Sequence, residues 1–223
     1  MVIPQPFTSS GFIIAGTGTD VGKTMVSALL MSVLQGCYWK PIQTGISPAT
    51  IDIASDRATV QRLSSLPPQH FIPETYNFEA PLSPHIASEL ENRPIDTASL
   101  FRLPNIPHAP LIIESAGGIM VPITRQLLQY QLYQQWKLPV LLVASTGLGT
   151  INHSLLSLAA LRAASIPLLG MVFVGPDNKD NIHTITTMGD VPSLGWVPWL
   201  DNPDTGQLQA VFSRYFASAY FGV

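Results

Sequence analysis

The sequence predicts an α/β protein whose mostly parallel sheet is covered by helices on both faces. Two patterns predict it. Short runs that are apolar on both faces alternate with longer segments of helical period, which is how buried parallel strands and their crossover helices read. A Gly/Thr-rich stretch, residues 16–22, joins the first such run to the first helical segment, as a βα turn at the top of a parallel sheet would.

The elements follow in order. Residues 12–15 predict a buried strand, and residues 25–34, rich in Ala, Leu and Met, predict the first helix. Residues 37–42 predict a second strand. Three more strands are expected at 111–113, 140–144 and 168–174, with helices at 126–136, 152–164 and 180–188 and a closing helix at 207–220. The most apolar stretch, 154–174, is interrupted by Arg162 and Pro167. A membrane span needs about 20 predominantly apolar residues, so this stretch reads as a buried helix followed by a buried strand. The middle of the chain differs: prolines at 67, 68, 73, 81, 84, 94, 104, 107 and 110 break regular elements. Residues 67–110 therefore predict an excursion from the sheet with short helices, such as 85–91, within one domain spanning 1–223.

Composition excludes several classes. Charged residues are 11% of the chain and apolar residues 46%. An average soluble protein has about 25% charged residues. Disorder is excluded, because there is ample apolar surface to bury. With 11 basic and 14 acidic residues, net −3, no general basic surface exists to hold nucleic acid. So few charges also point to some surface being covered by another subunit. The single cysteine, Cys37, allows no intramolecular disulfide and no thiolate-rich zinc site, and reads as an inert core residue. His70, His85, His108, His153 and His183 show no metal-ligand spacing. Residues 1–10 lack the basic residue and apolar core of a signal peptide, so the expected location is cytoplasmic.

The chemistry concentrates in a few motifs. Gly16-Thr17-Gly18-Thr19-Asp20-Val21-Gly22-Lys23-Thr24 follows a strand and opens a helix, with Met25 next in the helix. That is the context of a phosphate-binding P-loop. Backbone N–H groups around Gly22 can wrap phosphates, helped by the positive end of the helix dipole. Lys23 can reach the outer phosphates and the Thr24 hydroxyl can ligate Mg²⁺. The spacing is unusual, because five residues rather than four separate Gly16 from Gly22. Lys40-Pro41-Ile42-Gln43-Thr44-Gly45 ends the second strand, and a lysine there points into the crevice where open α/β sheets bind ligands. Glu114, at the end of a buried strand before Ser115-Ala116-Gly117-Gly118, sits where nucleotide enzymes place a Mg²⁺-binding acid. Asp56 reads either as a second metal carboxylate or as a solvated first-turn residue. Gly149-Thr150-Ile151-Asn152-His153 starts a helix that Thr150 or Asn152 can cap and whose free N–H groups suit a carboxylate. His85, after Ser83-Pro84, opens another short helix.

Taken together and in this order, the motifs resemble those of the dethiobiotin synthetases. The resemblance rests on residues 16–24, 40–45, 55–56, 83–85, 114–118 and 151–153, and runs from residue 11 to about 200. It implies a three-layer P-loop NTPase fold and an enzyme that takes ATP, Mg²⁺, 7,8-diaminononanoate and CO₂. One amine forms a carbamate, the carbamate attacks the γ-phosphate, and the second amine displaces phosphate to close the ureido ring. Such chemistry needs positioning and cationic stabilisation rather than an enzyme nucleophile.

By the resemblance, Thr19, Lys23 and Lys40 stabilise the transferring phosphoryl group, and Thr24, Asp56 and Glu114 hold Mg²⁺. Asp20, Val21, Gly22, Met25, Ser115, Ala116, Gly117, Val174, Gly175 and the Pro198-Trp199-Leu200 loop join them around the nucleotide. Thr44 contacts the diamine or carbamate. Thr150, Ile151, Asn152 and His153 receive the substrate carboxylate across a homodimer interface. Three positions depart from the family pattern: Gly18 replaces an acid, Ser115 a glycine, and Val174 the asparagine that reads the adenine edge. Asn178 is the nearest amide that could replace the last. A partner-regulated P-loop ATPase of the partitioning or switch type is the second reading. Lys40, Thr44 and the Asn152-His153 helix start favour the ligase, because a switch has no need of them.

Overall fold

The computed structural model describes residues 10–223; the reading of residues 1–9 as lacking a signal peptide lies outside the described residues. In chain order the structure runs β1 (Gly11–Gly16), α1 (Lys23–Leu34), β2 (Cys37–Trp39), β3 (Ile42–Thr44), α2 (Ile51–Ala54) and α3 (Asp56–Ser64). The Pro-rich segment holds β4 (Phe71–Ile72), β5 (Tyr76–Phe78), α4 (Pro84–Leu90) and α5 (Thr97–Phe101). Then come β6 (Leu111–Gly118), α6 (Gln129–Trp136), β7 (Val140–Ser145), α7 (Thr150–Ala163), β8 (Leu168–Val174), α8 (Lys179–Met188), β9 (Ser193–Val197) and α9 (Thr205–Tyr215).

Among the described residues the main sheet has 7 strands in the order β4-β2-β6-β1-β7-β8-β9, and neighbouring strands are parallel. Alternation along each strand splits the core into two layers. Ile13, Ile113, Leu142 and Phe173 face Leu132 and Trp136 of α6 and Leu158 and Leu161 of α7. Phe12, Ile14, Ile112 and Leu141 face Val26, Leu29 and Leu30 of α1 and Leu208 and Phe212 of α9. This is the three-layer arrangement that the apolar runs predict.

Some boundaries differ from the sequence expectation. The strand expected over 37–42 is two strands. Pro41 has no N–H for a ladder, and its carbonyl instead accepts from Thr75 and Tyr76. The chain leaves the main sheet at Lys40, and β3 pairs with β5 in a separate two-stranded sheet. The Pro-rich segment returns β4 to the main sheet, beside β2. Helix α6 starts at Gln129 rather than 126, because 122–128 is held as a turn: Pro122 bridges Leu128, and Ile123 N–H donates to Leu127. Its start is fixed by the Gln131 side chain, which accepts from Leu128 N–H at 2.7 Å. Helix α9 starts at a capping box of Asp204 and Gln207 and ends at Tyr215; residues 218–220 form a separate 3-10 turn. Strand β9 carries Gly195 and was not expected.

Candidate active site

The C-terminal ends of β1, β2 and β6 open onto a cleft of about 740 Å³. The phosphate loop contributes Thr19, Asp20, Gly22, Lys23 and Thr24; Lys40, Thr44 and Asp56 line it further along, and Ala116, Gly117 and Val121 follow Glu114. The segment Pro81 to Pro84 forms the facing wall. Gly22 is required where it stands. Its φ is 97°, and a Cβ there would lie 2.7 Å from Val174 Cγ1. The loop is thus seated directly on β8.

The floor of the cleft is a buried network of opposite charges. Glu114 is fully buried. Its Oε1 accepts from the Thr24 hydroxyl at 2.9 Å and from Lys40 Nζ at 3.2 Å. Its Oε2 accepts from Tyr38 OH at 2.9 Å and lies 2.8 Å from Ser27 Oγ. Lys40 Nζ also donates to Asp56 Oδ2. Burial alone would lower the Lys40 pKa, but the charges of Glu114 and Asp56 outweigh it and hold the ammonium above its ordinary value. For Asp56, burial pushes upward and the Lys40 charge pulls further down, so the carboxyl titrates below its ordinary value. Lys23 curls back to donate to Gly18 O at 2.8 Å. Burial lowers its pKa to about 8, an effect that Glu114 only partly offsets.

Two carboxylates therefore gather around one cationic atom, Lys40 Nζ, with the Thr24 hydroxyl beside both acids. An all-oxygen donor set of this kind fits a hard divalent cation such as Mg²⁺. The sequence alone puts Lys40 at a sheet edge facing the crevice, where its truncation leaves no buried gap, and the structure corrects this. Lys40 stands at the end of a strand flanked by β4 and β6, not at a sheet edge, and is only 7% exposed. Truncating it leaves the buried Glu114 and the half-buried Asp56 without their ammonium partner.

The sequence matches the family described as "AAA domain" over residues 10–205. It is 44% identical over 204 residues to the ATP-dependent dethiobiotin synthetase of Rhodopseudomonas palustris strain HaA2, covering 92% of each chain. It is 44% identical over 209 residues to that of Bradyrhizobium sp. strain BTAi1, covering 94% of this chain and 97% of the relative. The chain belongs to the ATP-dependent dethiobiotin synthetase family. Among solved structures, the signal recognition particle receptor FtsY from Elizabethkingia anophelis superposes with a TM-score of 0.51 at 12% identity, over 97% of this chain and 65% of that one. That likeness is one of fold alone.

Other residues that the dethiobiotin synthetase resemblance singles out lie outside the cleft lining. Val21 and Met25 are half-buried beneath the loop, against the α1-side core. Ser115 is buried and faces the opposite side of the sheet, beside Tyr133 of α6. Val174 is 4% exposed, and its methyl groups support Gly22. As a side chain it is a core residue. A Cβ on Gly175 would meet Thr146 Oγ1 at 2.6 Å. Pro198 and Leu200 are half-buried after β9, and Trp199 is 70% exposed. Asn178 caps α8 by accepting from Asn181 N–H and donates to Thr146 O, so it is already committed.

At the start of α7 the cap is Gly149, φ 88°, with no side-chain hydrogen bond, rather than Thr150 or Asn152. Thr150 is buried and donates to Ser145 O, Ile151 is half-buried, and Asn152 and His153 are exposed. His85 Nδ1 lies 2.9 Å from Ser83 Oγ at the start of α4. Sequence reasoning missed Ser27, Tyr38 and Gln43. Gln43 Oε1 accepts from the Asp56 N–H, tying α3 to β3. Ser27 was findable, since it lies one helical turn after Lys23 on α1. Tyr38 carried no motif.

Proposed function

We infer that this chain is an ATP-dependent ligase that closes the ureido ring of dethiobiotin from 7,8-diaminononanoate and CO₂. One amine nitrogen adds to CO₂ and loses a proton, giving a carbamate. A carbamate oxygen attacks the γ-phosphorus and ADP departs. The second amine then attacks the carbamoyl carbon and expels phosphate. The observation that carries this reading is the cluster of Lys23, Thr24, Lys40, Asp56 and Glu114 on the floor of one cleft. Lys23 and Lys40 bring fixed positive charge to where negative charge builds during phosphoryl transfer. Thr19 lies at the same wall, 3.6 Å from where a Gly117 Cβ would be. Thr24, Asp56 and Glu114 would hold Mg²⁺, which supplies electrostatic stabilisation of the phosphate oxygens. Thr44 lines the same cleft and would contact the diamine or carbamate.

The remainder of the reading concerns assembly. Leu148 and Leu156, at and on α7, are exposed together with Ala159 and Ala163. Scarce charge and this apolar face support a homodimer in which Thr150 to His153 of one copy receive the substrate carboxylate beside the other copy's cleft. The chain acts as a single domain in the cytoplasm, where its one free cysteine, buried Cys37, stays reduced. The test is an assay of ADP release with each substrate omitted in turn. A ligase releases ADP only when diaminononanoate and bicarbonate are both present. Turnover without them would identify a switch-type ATPase.

A further inference from the structure

Glu114 has two carboxylate oxygens with different surroundings. Oε1 faces the cleft residues Thr24 and Lys40; Oε2 faces Tyr38 and Ser27, behind the site. The Ser27 proton is within reach of two acceptors, Glu114 Oε2 at 2.8 Å and Lys23 O at 2.9 Å, and can serve only one. Tyr38 OH has Glu114 Oε2 as its partner at 2.9 Å.

The sheet makes this contact from its register. Tyr38 pairs with Ile112 of β6, so its side chain and that of Glu114, two residues beyond Ile112, emerge on the same face. The Tyr38 ring is fully buried and packs against Phe71 of β4, centroids 6.3 Å apart. The phenol O–H is a donor and Glu114 Oε2 is the acceptor it reaches.

We propose that Tyr38 is a positioning residue that fixes the rotation of the Glu114 carboxylate, so that Oε1 alone is offered to the cleft. The same rotation holds the Thr24 proton on Oε1 and leaves the Thr24 lone pairs free to face a cation. The proposal rests on the reading that Thr24, Asp56 and Glu114 hold Mg²⁺.

The test is calorimetric binding of a non-hydrolysable ATP analogue, with Mg²⁺ or with a chelator, to wild type, Tyr38→Phe and Ser27→Ala. A hydrogen bond to a charged group is worth about tenfold or more in an equilibrium constant. Tyr38→Phe is expected to lose about tenfold in affinity with Mg²⁺ and to stay within about twofold of wild type with chelator. Ser27→Ala, which leaves Tyr38 on Oε2, is expected to lose less than about threefold in either condition. A parallel loss in both conditions by Tyr38→Phe would mean a merely structural role and overturn the proposal, as would no loss at all. Should Tyr38→Phe not fold, a tenfold Mg²⁺-specific loss in Ser27→Ala would overturn it by making Ser27 the anchor. Wild type that gains nothing from Mg²⁺ would remove the cation assignment, and the proposal with it; that result is read from wild type alone.

Discussion

At the ends of β1, β2 and β6 the chain gathers two lysines and two carboxylates; at the ends of β8 and β9 it presents Val174, Gly175 and an exposed Trp199. The first region is a closed network in which the two acids hold the Lys40 ammonium above its ordinary pKa and Lys40 holds Asp56 below its own. The second has no charged group at these positions and can meet a ligand only through backbone, apolar surface and an aromatic ring. The difference teaches where substitutions should matter. On the floor, one side chain serves several others, so single changes propagate. At the β8–β9 end, contacts are separable and weakly selective.

The sharpest way to break the contrast is Lys40→Ala. Loss of one preorganised stabiliser of phosphoryl transfer is expected to cost about 10²–10³ in rate. The sequence alone predicts an intact fold for this variant. The structure adds a cost of about 3–5 kcal/mol, because removing one partner of a buried ion pair leaves the others uncompensated. Turnover and thermal unfolding measured together check both. A rate loss under tenfold with unchanged stability would make Lys40 a solvated residue after all.

Glu114→Gln comes next. The amide is a poorer ligand for a hard cation and turns its own donors toward Thr24, Lys40, Ser27 or Tyr38. Mg²⁺-dependent turnover should fall more than nucleotide binding without metal. Identical Mg²⁺ titrations for wild type and variant would take Glu114 out of the metal site.

The pH dependence is a milder probe of the same floor. Burial holds Lys23 at about 8 against 10.5 for a free lysine. The unliganded cleft therefore loses this charge as pH rises through about 8, and kcat/KM for the nucleotide should fall there. Folding stability moves the other way. Between about 8 and 10.5 the unfolded chain binds the extra proton, so this residue makes stability rise with pH. Asp56, held below 3.8, contributes stability that is present above 3.8 and lost as pH falls through its folded value. A kcat/KM flat from pH 7 to 10 would contradict the Lys23 assignment.

The smallest effects belong to the β8–β9 end. Valine has neither donor nor acceptor for a base edge, and Asn178 is occupied as a helix cap. The preference for ATP over GTP or CTP, compared as kcat/KM at one Mg²⁺ concentration, should stay under about a hundredfold, since the two absent hydrogen bonds would contribute only about 0.5–1.5 kcal/mol each. Val174→Asn should not sharpen it. The position is buried under Gly22, and an amide without a partner there costs about 1–3 kcal/mol of stability. A larger ATP preference would mean that backbone groups near Pro198 read the base.

The same contrast explains what the sequence made legible. The phosphate loop and Lys40 could be read because each lies at a strand end beside glycine or proline, where local pattern fixes direction; Glu114 could be read as an acid in an apolar run ahead of a glycine pair, although the strand runs on through it to Gly118. Strand breaks at Pro41 and the joining of β4 to the main sheet could not, since both depend on partners distant in sequence. Asp56 stayed ambiguous for the same reason: its role comes from Lys40, 16 residues away and on another element. Tyr38 was invisible because a tyrosine in an apolar strand reads as core, and only register brings it to Glu114. The packing of the Val174 side chain under Gly22 was equally illegible, because it depends on how the phosphate loop sits on β8.

The chemistry assigned to the charged floor predicts the path of one oxygen atom. Diaminononanoate and ATP can be turned over in bicarbonate labelled with ¹⁸O, faster than the label exchanges with water, and the released phosphate examined by mass spectrometry. If a carbamate oxygen attacks the γ-phosphorus in this cleft, each phosphate carries one ¹⁸O from bicarbonate and the ureido carbonyl keeps another. Unlabelled phosphate formed alongside labelled dethiobiotin would contradict phosphoryl transfer to the carbamate.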